Sequence, residues 1–96
     1  MTRSAAEQIQ AAAAWWHANR PLTPEAMTQE VARAFELIAL QPRIGVAAAS
    51  AKLAGVRRVR LARVRYYLYY RVQDSHEAVD VLAFWHASRG TDPELR

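Results

Sequence analysis

The segment from Val56 to Gly90 constrains the fold most, because much of it alternates apolar with polar or aromatic side chains. At its start, Val59 and Leu61 alternate with Arg58 and Arg60. A period of two is typical of a β-strand that buries one face. The first part of the segment therefore predicts a half-buried strand with a face of arginines.

Two more strands are predicted in the same segment. Residues 66–72 continue the alternation with tyrosine, leucine and valine, which favour a pleated surface. Residues 78–85 are apolar on both faces apart from Asp80, so we expect that strand in the interior of the sheet. A polar turn at 73–77 and the other short connection predict an antiparallel meander of three strands. Residues 42–55 show no clear period and are predicted to be a loop.

Two helices are predicted before the sheet. The first spans residues 4–19, with Ser4 as N-cap and Glu7 completing a capping box. The second follows Thr23 as N-cap, with Pro24 at the first helical position. The link between them is only about three residues long, which predicts an antiparallel helical hairpin.

These elements predict an α+β fold in which an N-terminal antiparallel helical hairpin packs on a C-terminal three-stranded antiparallel sheet. The 96 residues are expected to form one domain, 1–96. The chain has no apolar run near the ~20 residues of a membrane helix and no apolar core of a signal peptide. We therefore expect a cytoplasmic protein that does not contact a membrane.

The composition limits the chemistry and suggests a partner. The absence of cysteine excludes disulfides, zinc fingers and cysteine nucleophiles. His17, His76 and His86 lack metal-ligand spacing, so we expect no metal and no cofactor. Of thirteen basic residues all but Lys52 are arginine, and the net charge is +4. Guanidinium groups bind carboxylates and phosphates bidentately, which suggests an anionic partner, either nucleic acid or an acidic protein. The alternative from charge alone is a soluble basic surface with no specific target.

One constellation in the segment could carry chemistry. His86 and Arg89, at the end of the last strand, are expected to meet Arg65 across the sheet. Such a set could cleave RNA, with one group taking the proton of the 2′-OH and arginines stabilising the charged intermediate. The alternative is structural, because strand tyrosines usually pack in the core and exposed strand arginines prevent edge association.

Several short stretches, taken in order, carry a family resemblance. They are Ser4–Ile9 with Ala13–Trp16, Phe35–Ile38 with Gln41–Gly45, Arg58–Arg60, Arg65–Val72 and Val81–Gly90. Over nearly its whole length the chain resembles the RelE/ParE superfamily of bacterial type II toxins, also described as plasmid stabilisation proteins. The resemblance implies the same hairpin-on-sheet architecture. That family usually opens with a β-strand, which is short or missing here, and a sheet edge is left for another element or partner to cover.

The resemblance is strongest to ParE-type toxins, which are binding proteins rather than enzymes. It implies a cytoplasmic toxin that inhibits DNA gyrase and forms a hetero-oligomer with a ParD-like antitoxin, a ribbon-helix-helix DNA-binding protein. The residues expected to bind the target are Arg58, Arg60, Arg65, Trp85, His86 and Arg89. The residues expected to bind the antitoxin are Trp15, Trp16, Phe35, Tyr67 and Tyr69.

Two alternatives stay open. One is a RelE-like ribosome-dependent mRNA endoribonuclease, in which Arg65 and Arg89 would hold the phosphate and His86 would act as acid or base. The RelE-type nucleases carry a site rich in lysine and arginine. This chain differs from them, because Lys52 is its only lysine. The other is a family member that binds its antitoxin but is no longer toxic.

Overall fold

The computed structural model describes residues 1–48, 53–73, 78–89, Pro93 and Leu95. Helices α1 (Arg3–Asn19) and α2 (Ala26–Leu40) precede strands β1 (Val46–Ala47), β2 (Val56–Leu61), β3 (Tyr66–Gln73) and β4 (Ala78–His86). The strands pair in chain order, β1-β2-β3-β4, and every pair is antiparallel. The predicted α+β class is confirmed. The predicted turn at 73–77 falls mostly on residues 74–77, outside the described part.

The main core lies between the helices and one face of the sheet. Helix α2 faces the sheet with a buried stripe at helical spacing, Met27, Val31, Ala34 and Ile38. The sheet contributes Leu61, Leu68, Tyr70, Val81 and Phe84 to this core. The period-two pattern of β2 and β3 therefore has the predicted cause, one strand face buried against helices.

A second, smaller core covers the opposite face of the sheet. It contains Val56, Tyr69, Leu82, Ala83 and Leu95. Leu95 comes from beyond β4 and is only 7% exposed. The two cores explain why β4 is apolar on both faces.

Strand β4 is the last strand of the sheet, so the prediction that it lies in the interior is wrong. Its outer edge is covered by the N-terminus of the same chain. The backbone N–H of Thr2 donates to the carbonyl of Val81 at 2.9 Å, and the Met1 ammonium lies 3.1 Å from Asp80. The side-chain oxygen of Gln8 accepts the backbone N–H of Phe84 at 2.8 Å. The N-terminal residues thus cover the outer edge of β4.

Helix α1 begins earlier than predicted. Thr2, not Ser4, is the N-cap, and its hydroxyl accepts the backbone N–H of Ala5 at 3.0 Å. Ser4 lies inside the helix, and Glu7 pairs with Arg3 at 3.6 Å, so the predicted capping box is wrong. Thr2 takes the cap because its backbone is already held against β4.

The start of α2 also differs from the prediction. Thr23 is not its N-cap, because the residues that follow Thr23 form turns and the helix begins at Ala26. Glu25 occupies the N-cap position without a side-chain capping bond. The carbonyl of Thr23 instead accepts both the backbone N–H of Ala26 at 3.1 Å and the indole N–H of Trp16 at 2.9 Å. Trp16 therefore fastens the hairpin turn to the end of α1.

The segment predicted as a loop contains the short strand β1, so the sheet has four strands rather than three. Gly45, just before β1, donates its N–H to the hydroxyl of Tyr70 at 2.8 Å. A Cβ at Gly45 would lie 2.6 Å from that oxygen and 3.0 Å from the carbonyl oxygen of Arg58. Only glycine lets the chain approach this closely, and the contact sets β1 against β2.

Replacing Gln8 tests the covered edge of β4. Gln8→Ala leaves the N–H of buried Phe84 without its acceptor, which should lower the free energy of unfolding by about 1–3 kcal/mol. Gln10→Ala, an exposed change of the same kind in the same helix, should alter it by less than about 0.5 kcal/mol. Urea unfolding of both variants measures the difference, and equal losses would contradict the assigned role of Gln8.

Candidate functional site

A concavity of about 890 Å³ opens where the β2–β3 turn and the end of β4 face the C-terminal part of α1. We call it the basic concavity. The residues that line it are Trp15, Trp16, Arg20, Arg60, Arg63, Val64, Arg65, Tyr66, His86, Ala87 and Ser88. Four of these lining residues are arginines and none is acidic, so the concavity suits an anionic group.

The β2–β3 turn is fixed at both ends. Val64 is buried in the main core, and the backbone N–H of Arg65 donates to the carbonyl of Leu61 at 2.8 Å. The carbonyl of Arg65 accepts the backbone N–H of Ala87, just beyond β4, also at 2.8 Å. These bonds hold the exposed residues Arg63 and Arg65 at the mouth of the concavity.

Arg65 adopts a left-handed backbone conformation with φ of 61°. That region costs a residue with a Cβ roughly 1–2 kcal/mol, and glycine would avoid the cost. An arginine in a conformation that favours glycine points to a role for its guanidinium group.

His86 is held by a local hydrogen bond and by ring contacts. Its Nδ1 accepts the backbone N–H of Ser88 at 3.1 Å and lies 2.6 Å from the Ser88 hydroxyl. Because an amide N–H can only donate, this geometry places the proton of the neutral ring on Nε2. The ring meets Tyr66 edge-to-face at 5.0 Å, and Tyr66 stacks on Phe84 at 4.5 Å. His86 is therefore a fixed hydrogen-bond donor in the concavity.

The α1 wall of the concavity combines two indoles with a cation. The guanidinium carbon of Arg20 lies 4.9 Å from the ring centre of Trp15 and 5.5 Å from that of Trp16. Trp15 is still 51% exposed. Both tryptophans were predicted to bind the antitoxin, and the structure places them beside Arg60, Arg65 and His86, which were predicted to bind the target.

The six predicted target residues do not form one site. Arg60, Arg65 and His86 line the basic concavity, whereas Arg58, Trp85 and Arg89 lie apart from it. The guanidinium carbon of Arg58 stands 4.2 Å from the centre of the Tyr67 ring, which pairs across the strands with Trp85. The guanidinium carbon of Arg89 lies 4.1 Å from the ring centre of Trp85.

We call this second group the outer-face cluster, because its aromatic rings pack against the second core. Its members are Arg58, Tyr67, Tyr69, Trp85 and Arg89. The predicted ribonuclease set is therefore divided: Arg65 and His86 share the concavity, and Arg89 is in the outer-face cluster. Tyr69 is only 4% exposed and belongs to the second core.

Phe35, the remaining predicted antitoxin contact, lies near the other end of the sheet. It lines an apolar groove of about 360 Å³ together with Ile38, Ala39, Pro42, Val79 and Val81. Val79 and Val81 are near the start of β4, and His86 is at its end, so the groove and the basic concavity lie at opposite ends of this strand.

A scan of protein-family models matches residues 1–90 to the ParE toxin of type II toxin-antitoxin system, parDE. The chain belongs to the ParE toxin family. Comparisons with curated proteins and with solved structures find no match. Membership of this family confirms the predicted relationship to RelE/ParE type II toxins and implies a cognate antitoxin as partner.

The predicted target and antitoxin residues do not include Arg20 and Tyr66, which also line the basic concavity of this ParE-family chain. Arg63 follows β2 and extends its run of arginines into the β2–β3 turn. Arg20 and Tyr66 reach the site through packing between distant elements, which a pattern along the chain does not show. The part of the chain that the structure describes has no group of three histidine or acidic residues placed to hold a metal ion, nor a helix long and apolar enough to cross a bilayer.

Two substitutions at Arg65 separate the effect of its backbone conformation on stability from the effect of its guanidinium group on toxicity. Arg65→Gly should be more stable than Arg65→Ala by about 1 kcal/mol, because glycine accepts the left-handed conformation. Both variants should lose toxicity to a similar degree, since both lack the guanidinium group. Urea unfolding and growth inhibition on expression measure the two effects. Equal stability of the variants would contradict the strain, and full toxicity of either would contradict the role of the side chain.

Proposed function

We propose that this chain is a toxin that inhibits DNA gyrase by binding it and is neutralised by a ParD-like ribbon-helix-helix antitoxin. The observation that carries the proposal is the ParE family match over residues 1–90. The geometry adds support, because the arginine-lined concavity favours binding of an anionic surface over catalysis.

The ribonuclease alternative is less well supported by the geometry. General acid–base cleavage of RNA uses one group to take the 2′-OH proton and another to protonate the leaving oxygen. Among the described lining residues of the concavity, His86 is the only imidazole and there is no carboxylate. Arg89, the second phosphate-binding group of that hypothesis, stacks on Trp85 instead. The shared position of Arg65 and His86 is what still favours it.

The proposed target interface includes both arginine groups. Trp85 and His86 are consecutive in β4, and successive side chains of a strand point to opposite faces. The basic concavity and the outer-face cluster therefore meet at one end of the sheet. A partner that encloses this end would contact Arg60, Arg65 and His86 on one side and Trp85 and Arg89 on the other.

The antitoxin is proposed to bind at the opposite end. Leu40, 82% exposed, and Ile44, 43% exposed, line an adjoining surface that shares Ala39 and Pro42 with the apolar groove beside Phe35. Contiguous exposed apolar side chains mark protein–protein interaction sites. An amphipathic segment of the antitoxin would bury them and leave its acidic residues beside the net positive charge of the toxin.

A supercoiling assay tests the proposed target. Purified toxin should inhibit gyrase, and the double variant Arg60→Ala/Arg65→Ala should weaken inhibition about tenfold or more through loss of charged contacts. Arg33→Ala removes one charge from the exposed surface of α2, outside both arginine groups, and should leave inhibition unchanged. Fully active gyrase at a large excess of toxin would contradict the proposal, and cleavage of mRNA on translating ribosomes would support the ribonuclease alternative.

Apolar-to-charged substitutions test the proposed antitoxin surface. Leu40→Asp should weaken binding of the cognate antitoxin at least tenfold, because the interface loses a buried leucine and gains an unpaired charge. Leu22→Asp is the matched control, since Leu22 is 95% exposed and lies outside the groove. Isothermal titration calorimetry measures both affinities. Equal effects of the two changes, or none, would place the antitoxin elsewhere.

A further inference from the structure

We propose that the basic concavity binds single-stranded nucleic acid, with phosphates on Arg60, Arg63 and Arg65 and a base stacked on Trp15. This site is defined by its own geometry and does not depend on gyrase being the target of the toxin.

The arginines of the concavity supply the phosphate-binding half of the site. Within the described residues, Arg60, Arg63 and Arg65 form no ion pair, whereas Arg3 and Arg33 each lie beside a glutamate of their own helix. No acidic side chain is among the described residues that line the concavity. Clustered guanidinium groups without counter-charges repel one another, and an anion bound between them removes that repulsion. Their planar forks match the paired oxygens of a phosphate.

The aromatic residues supply the base-binding half. Trp15 presents an indole that stays 51% exposed with the guanidinium carbon of Arg20 over its ring at 4.9 Å. Tyr66 and His86 line the same concavity and are ordered by their contact with each other. Stacking of one base on an aromatic ring contributes roughly 1–3 kcal/mol and accepts any base. The Nε2–H of His86 adds a donor for a base or sugar oxygen.

The combination of arginines with an exposed indole favours single-stranded nucleic acid over a duplex or an acidic peptide. A duplex keeps its base faces inside the stack, where Trp15 cannot reach them. An acidic peptide would satisfy the arginines but would gain little from the exposed indole. The volume of about 890 Å³ is in the range of ligand pockets, roughly 300–1,000 Å³, which suits one or two nucleotides rather than a double helix.

Fluorescence anisotropy with the purified toxin alone tests the proposal. Labelled oligothymidylate and oligouridylate should both bind at low salt, and comparing the two shows whether DNA or RNA is preferred. With three phosphates held, the logarithm of the affinity should fall with the logarithm of salt concentration at a slope of about −2, which is −0.7 for each phosphate. Polyglutamate should compete poorly.

Matched variants show whether binding takes place in the concavity. Trp15→Ala and Arg63→Ala should each weaken binding about tenfold, and Trp15→Phe should restore most of the loss by keeping a ring for stacking. Arg33→Ala, which also removes one positive charge, should change the affinity less than twofold. All four variants alter exposed residues, and circular dichroism checks that they fold.

Several results would overturn the proposal. These are absence of binding at low salt, tighter binding of duplex than of single strands, equal competition by polyglutamate, or equal losses in Arg33→Ala and Arg63→Ala. A toxin that inhibits gyrase but fails these tests would sink this inference and leave the proposed function intact.

Discussion

The hydrogen bond from the Thr2 backbone to Val81 in β4 determines much of the molecule. It places the start of α1 against the free edge of the last strand, and Gln8 repeats the attachment two turns later at Phe84. A helix held at these two points runs along the strand. Its far end then carries Trp15 and Trp16 to the same concavity as His86, at the end of β4. The contacts that cover the exposed edge of β4 therefore also position α1 as one wall of the concavity.

The alternation of side chains in β4 divides the basic end of the molecule. His86 turns toward Tyr66 and the concavity, and Trp85 turns toward Tyr67 and the outer-face cluster. Two arginine-bearing surfaces result. On the outer face Arg58 and Arg89 stack on rings, whereas in the concavity only Arg20 does so, and Arg60, Arg63 and Arg65 form no ion pair within the described residues. The concave surface has more to gain from an anionic ligand, because its charges are not yet compensated within the described residues. The apolar groove beside Phe35 is at the other end of β4.

The sequence predicted the fold class because hydrophobic periods of 3.6 and two are properties of local segments. The predictions were wrong where contacts between distant parts of the chain determine the structure. Ser4 and Glu7 look like a capping box, but attachment of Thr2 to β4 moves the cap. Strand β1 has two residues, too few to show a period. Strand β4 looks interior only because Leu95, from beyond the strand, forms a second core on its outer face.

Prediction of the site was partial for the same reason. Arg65 and His86 were expected to meet, and they do, because the hairpin turn is bonded to the residue after β4. Arg89 is three residues after His86, yet it stacks on Trp85 and leaves the concavity. Trp15 lies in α1 and Arg20 is the C-cap of that helix, and no local pattern reveals where α1 lies relative to the sheet.

In the proposed function, the toxin binds its target with the basic end of the sheet and its antitoxin with the apolar end. Backbone amide hydrogen exchange of the toxin, measured free, with gyrase and with antitoxin, tests it most directly. Gyrase should slow exchange in residues 62–65 and 85–89, and the antitoxin should slow it in residues 38–47. Protection by gyrase confined to residues 38–47, or protection of one common segment by both partners, would contradict this account.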